Sequence, residues 1–538
     1  MSSANVSSFD FVIVGAGSAG CALAARLTEN SQYRVCLVEA GGQDSNPMIH
    51  IPFGLSLLSR FKNINWNYNT APQPKLNNRA LFWPRGKTLG GSSAINAMCY
   101  VRGVPQDYDR WQQQGALGWN WDAVLPYFKK SEDQQRGADA YHGTGGPLSV
   151  ADLRFVNPMS KTFVDAANNV DLPVSEDFNG TQHEGLGIYQ VTHKNGQRCS
   201  SAKGYLALAQ NRENFTLITH ALVEKVIVKD GRATGLTLRI NHKLHVLNAT
   251  KEVLLCAGAI NSPQLLMLSG IGPKQHLEDK GIEVLKDLPG VGQNLQDHLD
   301  AIIQYRCQSK HSYAISLGKL PRYVKAAFRY WRKRNDILSS NIAEAGGFVK
   351  SQFASSLPDI QYHFLPAILQ DHGRQTAFGY GFGLHVCNLY PKSRGEITLA
   401  SSDPAEPAVI DPCYLSHPDD QNVMIDGIRQ GREILQSRGF YDYQGEEVKP
   451  GAAMQSDEQL LAFLKANAET IYHPVGTCKM GDDSDAMAVV DNHLNVRGVA
   501  GLRVVDASVI PSLMGGNTNA PTIMIAERAA DFIKQHHR

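Results

Sequence analysis

Apolar residues recur with two different periods along this chain, and the switches between them mark its elements. Phe9 to Val14 is a short, mostly apolar run. It is followed by a glycine turn, a stretch of helical composition from Ala19 to Thr28, and a second apolar run from Arg34 to Glu39. Strand, helix and strand in that order predict a βαβ unit. Between Asn214 and Ala259, β-branched and polar residues alternate, Asp230-Gly231 signals a turn, and Val253-Leu254-Leu255 has the character of a buried run. The segment therefore predicts strands returning to a sheet, with a helix from Pro263 onward. Leu502 to Val505 predicts a strand, and Thr522 to Ile533 a closing helix. A sheet fed from both ends of the chain implies a discontinuous first domain. From about Asp300 to Glu469 the pattern shifts to mixed strands and long polar loops, as expected of a second, substrate-side domain.

Length and composition narrow the function classes. At 538 residues, with 43% apolar and 19% charged side chains, the chain is neither a small stapled scaffold nor a polytopic membrane protein. Its net charge of +1 supplies no general field for nucleic acid, so none is expected as a partner. The nine cysteines are scattered without a CxxC pair, which argues against a zinc cage or a disulfide framework and for a reducing cytoplasm; no metal is expected. Phe11 to Ala25 is uncharged but glycine-rich, and Met1 to Asp10 carries no positive side chain, so neither a signal peptide nor a membrane span is expected. Sequons at Asn5, Asn179, Asn214 and Asn248 carry little weight without secretion. The 48 glycines fall in clusters, and the chemistry is sought there.

Gly15-Ala16-Gly17-Ser18-Ala19-Gly20 is GxGxxG placed directly after a strand and opening a helix. Gly15 allows the turn, Gly17 lets backbone N–H groups approach a pyrophosphate, and Gly20 lets helix pack on strand. Glu39, closing the second strand about 19 residues beyond Gly20, is placed to accept hydrogen bonds from a ribose diol. The unit reads as a dinucleotide site, and the motif by itself does not choose between NAD and FAD.

A second cluster runs Arg85-Gly86-Lys87-Thr88-Leu89-Gly90-Gly91-Ser92-Ser93-Ala94-Ile95-Asn96. Its bare backbone suits close contact with a flat ring and its phosphates, and the flanking Leu89 and Ile95 are unlike a flexible linker. A third runs Gly258-Ala259-Ile260-Asn261-Ser262-Pro263, then Leu265-Leu266 and Ser269-Gly270-Ile271-Gly272. These two clusters resemble the paired signatures of the glucose-methanol-choline (GMC) oxidoreductases, and the resemblance spans about Phe9 to Asp531. It implies an α/β chain of two domains. Residues 1–155, 196–300 and 470–538 would form a Rossmann-like FAD-binding domain, and residues 156–195 and 301–469 a substrate-binding domain built on an antiparallel sheet. It also implies that Glu39 meets the ribose and Val223 the adenine. Gly90, Gly91 and Asn96 would form the loop over the isoalloxazine, Asp506 and Ala507 the strand approaching phosphates and ring, and Thr518, with Ser18, would belong to the same cofactor site. Some relatives tether the flavin through a histidine two residues after the position of Ser93. Here that residue is Ile95, so FAD is expected to be non-covalent.

The same resemblance marks His473, in Tyr472-His473-Pro474, and Asn517, in Gly515-Gly516-Asn517-Thr518, as the catalytic pair. Alcohol oxidation needs a base for the hydroxyl proton while hydride leaves the α-carbon for flavin N5. An imidazole is suited to accept that proton, and an amide to hold the oxygen. Phe82-Trp83-Pro84-Arg85-Gly86-Lys87, Gln190-Val191-Thr192 and Asn517-Thr518-Asn519-Ala520-Pro521 are most similar in wording to the membrane-associated FAD-dependent alcohol dehydrogenases of bacterial alkane degradation. That similarity implies a primary, aliphatic alcohol oxidised to the aldehyde, with electrons passed to a quinone-type acceptor. Choline dehydrogenase is the first alternative, because Glu344 matches a position that can hold a cationic headgroup, although Ile342 and Ala343 offer no aromatic cage. An alcohol oxidase using O2 is the second. Lys319 to Arg334 mixes seven basic residues with Tyr323, Phe328, Tyr330 and Trp331. It reads either as a membrane-surface helix, placing the protein peripherally on the inner face of the cell membrane, or as a solvated one.

Overall fold

A computed structural model describes residues 7–58, 60–314, 319–369, 374–375, 378–443 and 445–538; Asn5 lies outside them. The apolar runs from the two ends of the chain meet in one seven-stranded sheet. Strand β1 (Ser7–Val14) lies between β2 (Val35–Val38) and the strand Lys243–Leu255, parallel to both. Phe11 to Val14 and all of β2 are buried, which is why these strands read as continuous apolar runs rather than alternating ones. Phe215–Ile218 extends the sheet beyond β2. On the other side Ala221–Lys229 and Arg232–Ile240 form a hairpin whose turn residues Asp230 and Gly231 both take positive φ, as the Asp-Gly signal predicts. The C-terminal strand Leu502–Val504 pairs in parallel with Val253 to Leu255.

Helix α1 (Ser18–Leu27) follows β1 and is buried along most of its length. A Cβ on Gly20 would lie 1.9 Å from the Gly15 carbonyl, so the helix reaches the strand only because that residue is glycine. The closing helix spans Asn519–His536, longer than expected at both ends, and packs on α1. Arg26 makes a forked pair with the buried Glu527 at 2.8–3.0 Å, and Ser18 Oγ donates to Asn519 Oδ1 at 2.7 Å.

One helix boundary corrects the sequence reading. The helix begins at Gly258, not at Pro263, and runs to Leu268 with Pro263 inside it. Proline has no N–H for the carbonyl one turn earlier, that of Ala259. Thr477 Oγ1 donates to this carbonyl instead, at 2.6 Å, so the helix keeps a proline without leaving a buried acceptor bare.

The second sheet also has seven strands. Glu447–Lys449, Leu299–Arg306, Gly381–Asn388, Ile360–Leu365, Ala345–Val349 and Gly185–Ile188 follow one another in antiparallel order, and Glu469–Thr470 pairs with Leu299–Arg306. Helix Pro418–Gln436 covers it. The α/β class with an antiparallel second sheet is thus as expected. Among the described residues no helix is long and apolar enough to cross a membrane.

Candidate active site

The carboxyl ends of the parallel strands open into a cavity of about 630 Å³ whose lining runs from Val14, Val38 and Val223 to His473 and Asn517. Of the site residues expected from sequence, Gly15, Gly17, Ser18, Glu39, Gly91, Asn96, Val223, Asp506, Ala507, Thr518, His473 and Asn517 all line it. Gly20 and Gly90 do not, and both shape its wall instead. Gly20 seats α1, while Gly90 takes φ +87 and donates its N–H to the Ala16 carbonyl at 2.8 Å.

The glycine turn is shaped to receive a phosphate-bearing ligand. A Cβ on Gly17 would meet no atom within 4 Å, so this position faces open space. The first turn of α1 carries no acidic residue, and its free N–H groups favour an anion. Gly91 closes over the turn, where a side-chain carbon would come 2.7 Å from Gly17 Cα. Glu39 accepts from Ala16 N at 2.9 Å and Gly41 N at 2.8 Å, which ties the turn to the end of β2. Burial raises its carboxyl to about 7. Asp506 Oδ2 accepts from Gly258 N at 2.8 Å and Oδ1 from Ser508 N at 2.8 Å, and burial raises this carboxyl as well. Gly258 adopts φ +82 with no atom within 4 Å of its missing Cβ, a second bare spot in the wall. Two bare backbone segments on one cavity, one of them with the free N–H groups of a helix N-terminus, fit a dinucleotide such as FAD.

Across the cavity, His473 is fixed from three sides. Its backbone N–H donates to Asp297 Oδ1 at 2.6 Å. The preceding Tyr472 takes φ +70, a conformation uncommon for a bulky residue. It is held there by Arg85 Nη2 on its carbonyl at 2.6 Å and by Thr470 Oγ1, which accepts its N–H at 2.7 Å. The ring is oriented by His298. His298 Nε2 lies 3.0 Å from the Leu389 carbonyl, which only accepts, so Nε2 carries the proton. Burial lowers the His298 pKa to about 4, so the ring is neutral and its Nδ1 presents a lone pair. His473 Nδ1, 2.9 Å away, must therefore be the donor, and the lone pair of His473 falls on Nε2. That nitrogen accepts from Asn517 Nδ2 at 3.3 Å. Burial, together with the His298, His363 and Arg85 side chains, holds the His473 pKa well below its ordinary value. Asn517 Oδ1 is buried with no hydrogen-bond partner among the described residues, an acceptor waiting for a polar group in the cavity.

Several contributors escaped sequence reasoning. His298 and Asp297 reach His473 across about 175 residues of chain, and no local spacing announces the contact. Arg198 is a buried guanidinium that binds the carbonyls of Ile49, Ser93 and Asn96 and the Asn96 side chain, bracing the glycine-rich loop from behind. Burial lowers its pKa to about 9. His363 and His385 sit opposite each other on adjacent strands and both line the cavity; polar residues within otherwise buried strands were the one available signal.

Glu344 departs from its expected place. Its neighbours Ile342 and Ala343 line the cavity, but its own carboxylate turns into the protein. It accepts there from Tyr313 OH, Ser340 OH and the Asn157 N–H. The wall near Asn517 is completed by Ala97, Met98 and Cys99. Val101 accepts the Asn517 N–H at 3.2 Å, and Cys99 donates to the Ala343 carbonyl at 3.6 Å.

Sequence profiles of GMC oxidoreductases match residues 9–300 and 391–526. An alcohol dehydrogenase [acceptor] of Pseudomonas putida is 50% identical over 98% of this chain and 95% of its own. An oxygen-dependent choline dehydrogenase of Rhizobium etli (strain CIAT 652) is 44% identical over 97% and 95%. Among solved structures, pyridoxine 4-oxidase from Mesorbium loti superposes with a TM-score of 0.88 at 31% identity, covering 98% of this chain and 99% of that one. A variant formate oxidase of Aspergillus oryzae RIB40, solved to follow FAD modification, superposes with a TM-score of 0.92 at 28% identity over 99% of both chains.

Proposed function

The chain belongs to the GMC oxidoreductase family, and from that membership we propose that it oxidises a primary, aliphatic alcohol to the aldehyde, with His473 as the base. The observation that carries the reading is the neutral His473 ring, its Nε2 lone pair fixed by His298, set beside the Nδ2 donor of Asn517 at the cavity. FAD, when bound, supplies the acceptor for the hydride leaving the α-carbon. The residues of the chain do the rest. His473 Nε2 takes the hydroxyl proton, the Nδ2 amide of Asn517 donates to the oxygen and stabilises its developing negative charge, and the apolar wall of Ile342, Ala343 and Leu365 keeps water away. Electrons then pass to a quinone-type acceptor, a reading supported by the acceptor-linked activity named for the Pseudomonas putida relative. Residues 1–155, 196–300 and 470–538 are proposed as the FAD-binding domain, and residues 156–195 and 301–469 as the substrate domain.

Choline is the competing substrate, and the placement of Glu344 speaks against it. A quaternary ammonium needs a carboxylate or an aromatic cage facing it, and Glu344 faces the protein interior instead. Anaerobic mixing with a panel of alcohols tests this. A linear 1-alkanol should bleach the flavin absorbance at least roughly tenfold faster than choline at equal concentration. Faster bleaching by choline would reassign the substrate.

The cofactor is proposed to be held without a covalent bond. Ile95 faces the cavity where a tethering side chain would have to stand, and burial pushes the Cys99 thiol up to about 12, leaving it protonated and a poor nucleophile. Acid precipitation should leave a colourless pellet and a yellow supernatant. A yellow pellet would show a covalent link.

A further inference from the structure

Three bulky residues that line the cavity take positive φ: Met98 at +64, Ile342 at +69 and Tyr472 at +70. Tyr472 leads the backbone into His473, and Met98 follows the glycine-rich loop, where Asn96 Oδ1 accepts its N–H at 3.1 Å. Ile342 stands apart from both. Among the described residues it is the one β-branched side chain with positive φ. A branched Cβ crowds the backbone most in that region, so the conformation costs free energy and has to be imposed by the surroundings.

The residues on either side of Ile342 impose it. Ala343 donates its N–H to the Asn341 carbonyl at 2.8 Å, so Asn341, Ile342 and Ala343 form a γ-turn, and φ +69 at its centre makes it the rare, strained kind. Ser340 Oγ accepts the Ile342 N–H at 2.9 Å and donates its own proton to the Glu344 carboxylate. Tyr313 OH and the Asn157 N–H hold that carboxylate as well, the latter at 2.6 Å. Asn341 Nδ2 fastens the turn to the Ala97 carbonyl at 2.9 Å. Glu344 is fully buried, and its place in this network is that of a brace behind the turn.

Ile342 packs in one apolar cluster with Cys99, Val101, Leu365 and Leu389. The Leu389 carbonyl faces His298 Nε2 at 3.0 Å, and the Val101 carbonyl accepts the Asn517 N–H at 3.2 Å. The cluster therefore backs both the ring that orients His473 and the amide beside it. We infer that Ile342 is the specificity-determining residue of the cavity, a stop held by the Ser340–Glu344 brace that admits primary alcohols unbranched near the hydroxyl and rejects branched ones. The inference rests on the alcohol reading and narrows its substrate class. A side chain on an ordinary loop would move aside for a branched chain. Here the turn cannot shift without breaking the hydrogen bonds of Ser340, Asn341 and Glu344, and packed walls of this kind deform little.

Anaerobic stopped flow on the flavin-loaded protein tests the stop with 1-butanol and 3,3-dimethyl-1-butanol, which share a carbinol and a chain and differ by two methyl groups at C3. The wild type should be bleached at least roughly tenfold faster by 1-butanol. Ile342→Ala and Ile342→Gly should narrow that ratio by roughly tenfold. Ser340→Ala should narrow it in the same direction with Ile342 still in place, because the turn loses its clamp. Melting curves read the strain without any alcohol. Ile342→Gly should melt above Ile342→Ala, the reverse of the usual order, because glycine adopts φ +69 freely and alanine does not. A ratio that stays at the wild-type value in both Ile342 variants overturns the stop and leaves alcohol oxidation standing. An alanine variant that melts above the glycine one overturns it too, since the turn would then hold no strain. Wild-type flavin left unbleached by both alcohols would remove the alcohol reading, and the stop with it.

Discussion

Replacing His473 with alanine is expected to give a folded, yellow protein whose flavin is bleached by an alcohol about 10²–10⁴ times more slowly than in the wild type. The substitution removes the Nε2 lone pair that His298 holds toward the cavity, and leaves Asp297, Thr470 and Arg85 to keep the backbone in place. The pH profile separates loss of the base from general damage. Only the neutral imidazole accepts a proton, and His473 is held well below its ordinary value, so it stays neutral as the pH falls through 6.5. The wild-type bleaching rate should therefore stay level across that range, with its acid limb lower, and the alanine variant should lack that limb. An unchanged rate in the variant, measured by anaerobic stopped flow, would remove His473 from the mechanism.

The second large effect concerns the cofactor. Gly17→Val should yield a folded but colourless protein, because the new side chain enters only the space left for the ligand. Gly17 has an ordinary negative φ of −82° and nothing within 4 Å of its Cβ direction, so the chain itself pays no strain. Added FAD at about 100 times its dissociation constant should stabilise the wild-type apoprotein by about 2.7 kcal/mol and the variant hardly at all. Melting curves with and without FAD read this directly. A yellow variant with wild-type stabilisation would move the phosphate site elsewhere in the cavity. Gly20→Val would be a poorer experiment, since its Cβ would strike the Gly15 carbonyl and damage the fold itself.

How much was legible in the sequence depended on how local the cause was. The β1–turn–α1 unit could be read because its apolar runs, its glycines and Glu39 all lie within one short stretch. The lining residues that fall inside the glycine-rich clusters were legible for the same reason, whereas Val223, Asp506 and Ala507 were expected only from the family resemblance. The helix that starts at Gly258 was placed too late because proline usually opens a helix, and the partner that permits it inside, Thr477, is more than 200 residues away. His298 was missed in the same way. Its role is to set which nitrogen of another ring carries a proton, and only the fold makes them neighbours. Glu344 shows the opposite error. A matching position kept a cationic substrate in play, and three hydrogen-bond donors supplied by distant segments turn the carboxylate inward.

The hydroxyl of Thr477 stands four residues beyond His473 and fastens the carbonyl that Pro263 leaves free. A pyrrolidine ring in the first half of the chain has thus become the anchorage of the segment that bears the imidazole. The helix that opens at Gly258 and the segment that carries His473 are in this way held in one register by a single side-chain hydrogen bond, so the two walls of the cavity to which they belong are set against each other at that point.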